Sequence, residues 1–260
     1  MTTQREKADI FRDLHIKGNP LILFNIWDPG SARTIAEAGA KAIATGSWSV
    51  AAANGFGDGE KLPFDLVLAN LQRIVASVDV PVTIDLEGGY ATDYTELKEN
   101  IKKVIAAGAA GINFEDQIIG GEGLHTTEDQ CGRIETVREA AEQTSIPLFI
   151  NARTDVFLKN YPAMHNETQL NEALQRAAAY ARAGASGLFA PGLRDIEFIR
   201  KLCKLSPIPV NIMVLSDTPP TVELAKLGVA RISYGPEPYR RIMEALKEAG
   251  RKAFSDYLSS

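Results

Sequence analysis

The feature that most constrains the fold is a unit that recurs four times along the chain. In each unit a helical pattern ends in Ala-Gly or Leu-Gly, and a short apolar run follows at once. Glycine just past a helix readily adopts the left-handed conformation that ends it. Each following run is too short and too evenly apolar for a surface helix, so it is typical of a parallel strand buried on both faces. The predicted strands are 42–45, 111–115, 187–190 and 231–234.

Four more apolar runs follow loop residues and are also predicted to be strands, at 21–24, 82–84, 148–150 and 210–213. Helical segments alternate with the strands, for example at 66–77, 96–107, 169–182 and 239–257. Eight strand–helix units in 260 residues predict an α/β fold, a (β/α)8 TIM-type barrel. We expect a single domain over residues 1–260, with a C-terminal helix from about residue 236.

The alternative is a doubly wound open sheet, which lacks its fingerprint here. The nearest glycine cluster, at 55–59, does not open a helix directly behind a strand, and no phosphate-binding Gly-x-x-x-x-Gly-Lys-Ser/Thr motif occurs. The barrel is therefore the favoured fold.

Composition narrows the class of protein. The 28 basic and 33 acidic residues give a net charge of −5, which argues against nucleic-acid binding. Two cysteines, Cys131 and Cys203, are too few for a disulfide framework and have no zinc-site spacing. The N-terminus lacks a signal-peptide pattern, and no apolar run is long enough to span a membrane. We expect a cytoplasmic protein that contacts neither nucleic acid nor membrane.

Polar residues gather where the predicted strands end, which is where barrel enzymes place their active sites. Carboxylates around one point repel each other unless they are protonated or surround a cation. Mg2+ takes one or two carboxylates directly and keeps several waters. The residues that gather there are Asn25, Thr45, Gly46, Ser47, Trp48, Asp85, Glu87, Glu115, Asp116, Asn151, Arg153 and Asp155, and Asn211 lies within the seventh strand. Of these, Asp85, Glu87, Glu115 and Asp116 are the candidate metal ligands.

Two features of this set favour an anionic ligand. Arg153 can hold a carboxylate or phosphonate through two hydrogen bonds, although an ion pair with a nearby acid is the alternative. Gly46, Ser47 and Trp48 offer backbone N–H groups and a hydroxyl, which form a small anion nest.

Asp58 lies in a turn-rich segment, where a solvated turn is the alternative to a functional role. The charged run from Arg240 to Lys252 is interpreted as a solvated helix face.

Six segments together resemble the isocitrate lyase / phosphoenolpyruvate mutase superfamily over about residues 21–234. They are Asn25-Ile26-Trp27-Asp28-Pro29-Gly30-Ser31-Ala32, Thr45-Gly46-Ser47-Trp48-Ser49-Val50-Ala51, Asp85-Leu86-Glu87-Gly88-Gly89-Tyr90, Gly111-Ile112-Asn113-Phe114-Glu115-Asp116, Asn151-Ala152-Arg153-Thr154-Asp155 and Pro209-Val210-Asn211-Ile212-Met213. In this order and spacing they are highly specific.

The resemblance implies a barrel that binds Mg2+ or Mn2+ and a small oxo or hydroxy acid, with chemistry through an enolate held at the metal. It implies Asp85 as the direct metal ligand, and Glu87 and Glu115 as holders of metal-bound waters. Asp58 is expected near the metal. It further implies that family members exchange the last helix and form a homotetramer or homodimer. The residues implied to bind the substrate carboxylate and complete the pocket are Gly46, Ser47, Trp48, Arg153 and Asn211.

The chain departs from the family on the loop after the fourth strand. Lyases of the family carry Lys-x-Cys-Gly-His there, but Gly121 and Gly123 stand at the lysine and cysteine positions, and only His125 matches. The mutase pattern Lys-x-Asn is absent as well, and Asp85-Leu86-Glu87 replaces the commoner Asp-x-Asp. His125 is a candidate general acid or base, with a solvated loop histidine as the alternative, and Asp58 is a candidate for the same proton.

Three functions remain open at this point. The first is a Mg-dependent carbon–carbon lyase acting on a small 2-hydroxy or 2-oxo di- or tricarboxylate. The second is an oxoacid decarboxylase, or a phosphonopyruvate-type hydrolase or mutase. The third is an oxoacid-binding protein without turnover.

Overall fold

Short parallel strands alternate with helices along the whole chain in the computed structural model, which describes residues 2–159 and 165–258. The strands are β1 (Leu21–Leu23), β2 (Ile43–Ala44), β3 (Val82–Asp85), β4 (Gly111–Glu115), β5 (Phe149–Arg153), β6 (Gly187–Phe189), β7 (Val210–Met213) and β8 (Arg231–Ser233). The helices are α1 (Gln4–Asp13), α2 (Pro29–Glu37), α3 (Ser47–Ala53), α4 (Phe64–Ser77), α5 (Tyr94–Ala106), α6 (Thr127–Thr144), α7 (Glu167–Arg182), α8 (Ile196–Leu205), α9 (Thr221–Lys226) and α10 (Glu237–Leu258).

The strands form one eight-stranded sheet in the order β1-β8-β7-β6-β5-β4-β3-β2. Its two ends are joined just beyond β1 and β2, where Ile26 and Thr45 form a parallel bridge. The Ile26 N–H donates to the Ala44 carbonyl at 2.9 Å, and the Gly46 N–H donates to the Ile26 carbonyl at 3.2 Å. This closure confirms the predicted (β/α)8 barrel. The boundaries of the domain at residues 1 and 260 stay a prediction.

The recurring glycine unit ends its helices as predicted. Gly108 follows α5 with φ of +100°, and a Cβ atom there would lie 2.6 Å from the Val75 Cγ1 atom. Both the backbone conformation and the close approach of α4 therefore require glycine at this position. Gly184 follows α7 with φ of +101° in the same way.

The barrel is closed at its amino end by α1, which the sequence did not reveal as a plug. Ala8 and Phe11 of α1 are fully buried against Leu23 and Phe149. Above this apolar plug lies the fully buried Arg231, whose Nη2 donates to Asn113 Oδ1 at 2.9 Å. The barrel interior is thus apolar at the bottom and polar toward the carboxyl ends of the strands.

Large apolar side chains are exposed on α10 and on β1, among other positions that the structure describes. The long helix α10 exposes Ile242, Leu246 and Phe254, and Leu246 is 64% exposed. The outer side of β1 exposes Ile22 and Phe24, which border a groove of about 590 Å³. Among the residues that the structure describes, no helix is long and apolar enough to cross a membrane.

Candidate active site

Asp85 is the central carboxylate of the site and lies at the carboxyl end of β3. Its Oδ2 accepts the Ser47 N–H at 3.2 Å, and its own N–H donates to Thr45 Oγ1 at 3.0 Å. Its Oδ1 is buried and has no hydrogen-bond partner among the described residues. A buried carboxylate oxygen without a donor is costly, so a ligand at this oxygen would stabilise it.

Glu87 lies in the tight turn after β3 and points into the same region. Its φ of +52° places a non-glycine residue in the left-handed region, a conformation that clusters at functional sites. One carboxylate oxygen accepts the Glu60 N–H at 2.7 Å. Burial, with the charges of Asp58 and Asp85, raises the pKa of Glu87 to about 8. Without a cation, this carboxyl therefore holds a proton at neutral pH.

Asp58 extends toward Asp85 from the loop between α3 and α4. Partial burial and the charge of Asp85 raise the pKa of Asp58, and a hydrogen bond with Ser47 opposes this rise. Asp58 and Asp85 line one cavity of about 280 Å³. The loop position predicted for Asp58 thus brings it beside the central carboxylate.

Arg153, at the end of β5, is held by two internal acids. Its Nε and Nη2 donate to the carboxylate of Asp155 at 2.6 and 2.8 Å, and its Nη1 lies 2.6 Å from Glu115 Oε2. Burial alone would lower the pKa of Arg153, but the charges of Glu115 and Asp155 raise it well above its usual range. Burial raises the pKa of Glu115, and Arg153 opposes that rise. The two-pronged contact predicted for a ligand is made to Asp155, while Arg153 still lines the cavity.

The cavity brings together six of the predicted site residues: Gly46, Ser47, Trp48, Asp58, Asp85 and Arg153. Gly46 precedes α3, so the first N–H of that helix, from Ser47, faces Asp85 rather than open solvent. Asn211 is buried one layer deeper, where it exchanges hydrogen bonds with Ser233 at 3.1 Å. Ser233 itself lines the cavity.

His125 lies apart from this cavity. It borders a neighbouring space of about 300 Å³ with Glu60, Tyr90 and Arg133. Its backbone N–H donates to the Asp116 carbonyl at 2.8 Å, and its ring lies 4.0 Å from the carboxylate of Asp129. Burial and the charge of Arg133 lower the pKa of His125. In this arrangement the ring does not reach the Asp58–Asp85 cavity.

Asp116 does not join the candidate ligands, although it follows Glu115 directly. Successive side chains of a strand point to opposite faces. Asp116 therefore faces outward, where its Oδ2 accepts from Arg176 at 3.1 Å and from the Tyr180 hydroxyl at 2.8 Å. The sequence interpretation of Asp116 as a possible metal ligand is wrong for this reason.

Arg240 is a cavity residue that the sequence interpretation missed. Its guanidinium lies 4.6 Å from the centre of the Trp48 ring and lines the cavity. Its neighbour Arg241 points elsewhere and pairs with Glu237 at 2.9 Å. Adjacent helical residues diverge by about 100°. The charged run is therefore only in part a solvated face, and the nearby end of β8 was the signal for Arg240.

The donor set fits a divalent cation that keeps much of its water. No three His, Cys, Asp or Glu side chains in the described part of the chain converge on one point as a full metal shell. Asp85 Oδ1 is the one buried carboxylate oxygen there without a partner. Mg2+ commonly takes one or two protein carboxylates and completes its octahedron with water. Asp85 suits direct contact, and Glu87 and Glu115 suit contact through water.

Fold and site together define a (β/α)8 barrel with an acidic cavity at the carboxyl end of its strands. The sequence pattern of the phosphoenolpyruvate phosphomutase family matches residues 11–254, so the chain belongs to that family, within the isocitrate lyase / phosphoenolpyruvate mutase superfamily.

Three relatives illustrate the similarity. An uncharacterised protein of Mycobacterium tuberculosis is 32% identical over 95% of this chain and 89% of its own length. The 2-methylisocitrate lyase of Escherichia coli is 28% identical over 90% of this chain and 80% of its own. The crystal structure of a candidate phosphonomutase from Burkholderia cenocepacia is 49% identical, with a TM-score of 0.94, and the match covers 96% of this chain and 100% of that one.

Proposed function

We propose that the protein is a Mg-dependent carbon–carbon lyase that cleaves a small 2-hydroxy or 2-oxo di- or tricarboxylate through an enolate. The observation that carries this proposal is the buried, unpartnered Oδ1 of Asp85 beside Glu87 and Asp58. Its 2-methylisocitrate lyase relative supports the reaction class. The cavity of about 280 Å³ suits a small acid, because it lies just below the range of about 300–1,000 Å³ for drug-sized ligands.

Asp85 would hold Mg2+ or Mn2+ directly, and Glu87 and Glu115 would hold it through water. When bound, the ion would supply a Lewis acid that stabilises negative charge on the oxygens of the oxoacid. Burial and mutual repulsion raise the pKa values of Glu87 and Glu115, because nothing at the site balances their negative charge fully. A cation would favour their ionised forms.

Ser47 and Arg153 orient the acidic groups around the substrate. The Ser47 N–H fixes Asp85 Oδ2, and Ser47 also hydrogen-bonds with Asp58. Arg153 fixes Glu115, and one N–H on each of its Nη atoms is left for the substrate after its contacts with Glu115 and Asp155. Gly46, Ser47, Trp48 and Asn211 complete our proposed substrate-binding set.

Asp58 is the first candidate for proton transfer, because it faces the cavity and its pKa is raised. His125 is the second candidate, and it requires the loop after β4 to bring its ring from the neighbouring space into the cavity. The loop contains Gly120 and Gly123 with φ of +73° and +77°, so its backbone suits such a rearrangement.

A second function has its own support. The matching family is named for phosphoenolpyruvate phosphomutase. The loop also lacks the cysteine that the lyase motif places two residues before its histidine. An oxoacid decarboxylase or a phosphonopyruvate-type hydrolase or mutase would use the same acidic cavity without that cysteine.

The test is a product analysis of the purified protein with Mg2+, and with EDTA as the control. The panel contains 2-hydroxy and 2-oxo di- and tricarboxylates, oxaloacetate and phosphonopyruvate, followed by proton and phosphorus NMR. Mg-dependent cleavage of a carbon–carbon bond to an oxoacid supports the lyase. Release of CO2 or phosphate with pyruvate supports the second function instead. Tight Mg-dependent binding with unchanged ligand after long incubation overturns both and indicates a binding protein.

We further propose that α10 packs on the barrel of a second subunit, which gives a homotetramer or homodimer. The exposed Ile242, Leu246 and Phe254 of α10 and the exposed Ile22 and Phe24 of β1 support this exchange. Light scattering should give a mass above one chain, and Leu246→Glu should lower it; a monomeric wild type would contradict the exchange.

The unpaired Cys131 and Cys203 support a reducing compartment such as the cytoplasm.

A further inference from the structure

The floor of the cavity holds an asparagine that the mechanism above does not use. Asn113 lies in the middle of β4, in register with Asp85 of β3, and lines the cavity beside it. Side chains two residues apart in a strand share a face, so Asn113 points into the barrel on the same side as Glu115. Its side chain is therefore placed among the groups that would surround the oxoacid.

The oxygen end of the Asn113 amide is occupied within the protein. Its Oδ1 accepts one hydrogen bond from Asn151 Nδ2 at 2.8 Å and another from Arg231 Nη2 at 2.9 Å. An amide oxygen has two lone pairs, so these two donors use its accepting capacity fully. No lone pair of Oδ1 is left for a ligand.

Arg231 decides which way round this amide lies. Burial lowers the pKa of Arg231 to about 9, so the fully buried guanidinium stays protonated at neutral pH. A guanidinium only donates hydrogen bonds, so the Asn113 atom that faces it must be the oxygen. Turning the amide over would set a donor against a donor. The nitrogen end of Asn113 is thereby directed away from Arg231 and toward the cavity.

The nitrogen end of Asn113 is unused, since no acceptor takes a hydrogen bond from its Nδ2 within 2–159 and 165–258. Asn25, another asparagine in the cavity wall, differs at both ends. Its Nδ2 donates to the Thr45 carbonyl at 2.8 Å. Its Oδ1 accepts from the backbone N–H groups of Tyr234 and Gly235, both at 2.9 Å. Asn25 therefore ties the fold together, whereas Asn113 offers an N–H2 donor to the cavity.

Arg231 is also a costly residue for the fold. Its Nε and Nη1 atoms are buried and have no hydrogen-bond partner among the described residues. A buried charge that is not paired lowers the stability of a protein. The contact with Asn113 gives this charge a role, because it connects the barrel interior to the cavity.

We propose that Asn113 is a further substrate-contacting residue, whose side-chain N–H donates to a negatively charged oxygen of the oxoacid, and that Arg231 is the positioning residue that fixes its amide. A donor that is already oriented stabilises charge developing on an oxygen without a cost of reorganisation. This inference rests on the proposed oxoacid chemistry and adds a donor at the floor of the cavity.

The test uses oxalate as the probe, because it is a planar dianion with charge on neighbouring oxygens, like the enolate of an oxoacid. Calorimetry measures the Kd of oxalate at saturating Mg2+ and, separately, the Kd of Mg2+ alone. An amide N–H2 group only donates and does not bind a cation. Changes that remove this donor should therefore weaken oxalate and leave the Kd of Mg2+ alone within about twofold.

Two variants of Asn113 test the donor. Asn113→Leu removes it without adding a charge and should weaken oxalate by about tenfold or more, as expected for a hydrogen bond to a charged group. Asn113→Asp keeps the acceptor for Arg231, so it should fold, but it turns an acceptor toward the cavity and should weaken oxalate by about 100-fold or more. Thr83→Val is the matched control, because Thr83 is a buried polar residue of β3 that changes shape little, and it should alter neither Kd.

A double-mutant cycle tests the positioning role. Arg231→Met frees the amide to rotate and should weaken oxalate by several-fold, and Arg231→Lys, which keeps a charged group that only donates, should recover part of this loss. If Arg231 acts through Asn113, Arg231→Met should have little further effect in the Asn113→Leu background. A direct attraction between Arg231 and the ligand would instead give additive losses.

The outcomes that overturn the proposal are distinct. Wild-type oxalate affinity in Asn113→Leu, or equal losses of oxalate and of Mg2+ alone, overturns the role of Asn113. If Asn113→Leu does not fold, unchanged oxalate affinity in Asn113→Asp overturns it instead. Additive losses in the cycle overturn the role of Arg231. The proposed function stands in all these cases if the wild type binds oxalate in a Mg-dependent manner; if it does not, the proposed function fails and this inference fails with it.

Discussion

Glu115 and Asp116 are consecutive acids at the end of β4, but their surroundings differ. Glu115 faces other carboxylates, whereas Asp116 faces hydrogen-bond donors. Glu115 faces the barrel interior, near the carboxylates of Asp85 and Glu87. Asp116 faces α7, where the Asp155 N–H, Arg176 and Tyr180 supply donors to both of its oxygens at 2.8–3.1 Å. In this outer network of Asp116, Asp155, Arg176 and Tyr180, both carboxylate oxygens of Asp116 have hydrogen-bond donors within the protein. The inner cluster gathers negative charge and leaves Asp85 Oδ1 without a donor, as expected of a region that binds something.

The largest expected contrast is in stability, measured by urea unfolding of the metal-free protein. Asp116→Asn removes the buried partner of Arg176, which then keeps only its ion pair with the more exposed Glu172, and should lower the free energy of unfolding by about 1.5–3 kcal/mol. Asp85→Asn removes a charge from a repulsive cluster and should leave the free energy of unfolding unchanged or raise it.

A loss below about 1 kcal/mol in Asp116→Asn would show that its network is not structural. A large loss in Asp85→Asn would show that the inner cluster stabilises the fold by itself. Either result would break the distinction between the two regions.

The second contrast is in pH dependence without metal. The pKa of Glu87 is about 8 in the folded protein, compared with the usual glutamate value of 4.5 in the unfolded chain. Between these values the folded state keeps a proton that the unfolded chain has released, so this group makes stability fall as pH rises from 4.5 to about 8. Unfolding in EDTA across this range should show the fall in wild type and a flatter profile in Glu87→Gln. Parallel profiles of the two proteins would contradict the assignment.

The smallest expected effect tests one hydrogen bond of the outer network. Tyr180→Phe removes the hydroxyl that donates to Asp116 at 2.8 Å and should cost about 1–2 kcal/mol of unfolding free energy, with Mg2+ affinity unchanged. Tyr94→Phe is the matched control, because its hydroxyl has only a long contact of 3.5 Å on an exposed helix. Equal losses in the two variants would remove the special role of the network.

The sequence predicts the barrel well because its signals are local. The glycine after four of the helices and the short apolar run of each strand are readable within about ten residues. The positions of Asp85 and Arg153 follow from two apolar runs that come after loop residues. The direction in which a strand-end side chain faces depends on the fold around it and not on its sequence neighbours alone. The interpretation of Asp116 as a candidate metal ligand was therefore wrong. The partner of Arg153, Asp155, lies only two residues away, but the side-chain geometry that joins them is set by the fold. Arg240 lies 192 residues after Trp48. Its closeness to the end of β8 signals the cavity, but no local pattern signals its contact with Trp48.

The most direct test of the central claim is calorimetric titration of Mg2+ into the chelated and dialysed wild type, Asp85→Ala and Asp93→Ala. Asp93 is the control, because it is an exposed acid that caps α5 and lies outside the cavity. The account predicts one Mg2+ site in wild type and in Asp93→Ala, and at least about 100-fold weaker binding in Asp85→Ala, since it loses the direct ligand. Equal Mg2+ affinity in the wild type and Asp85→Ala would contradict it.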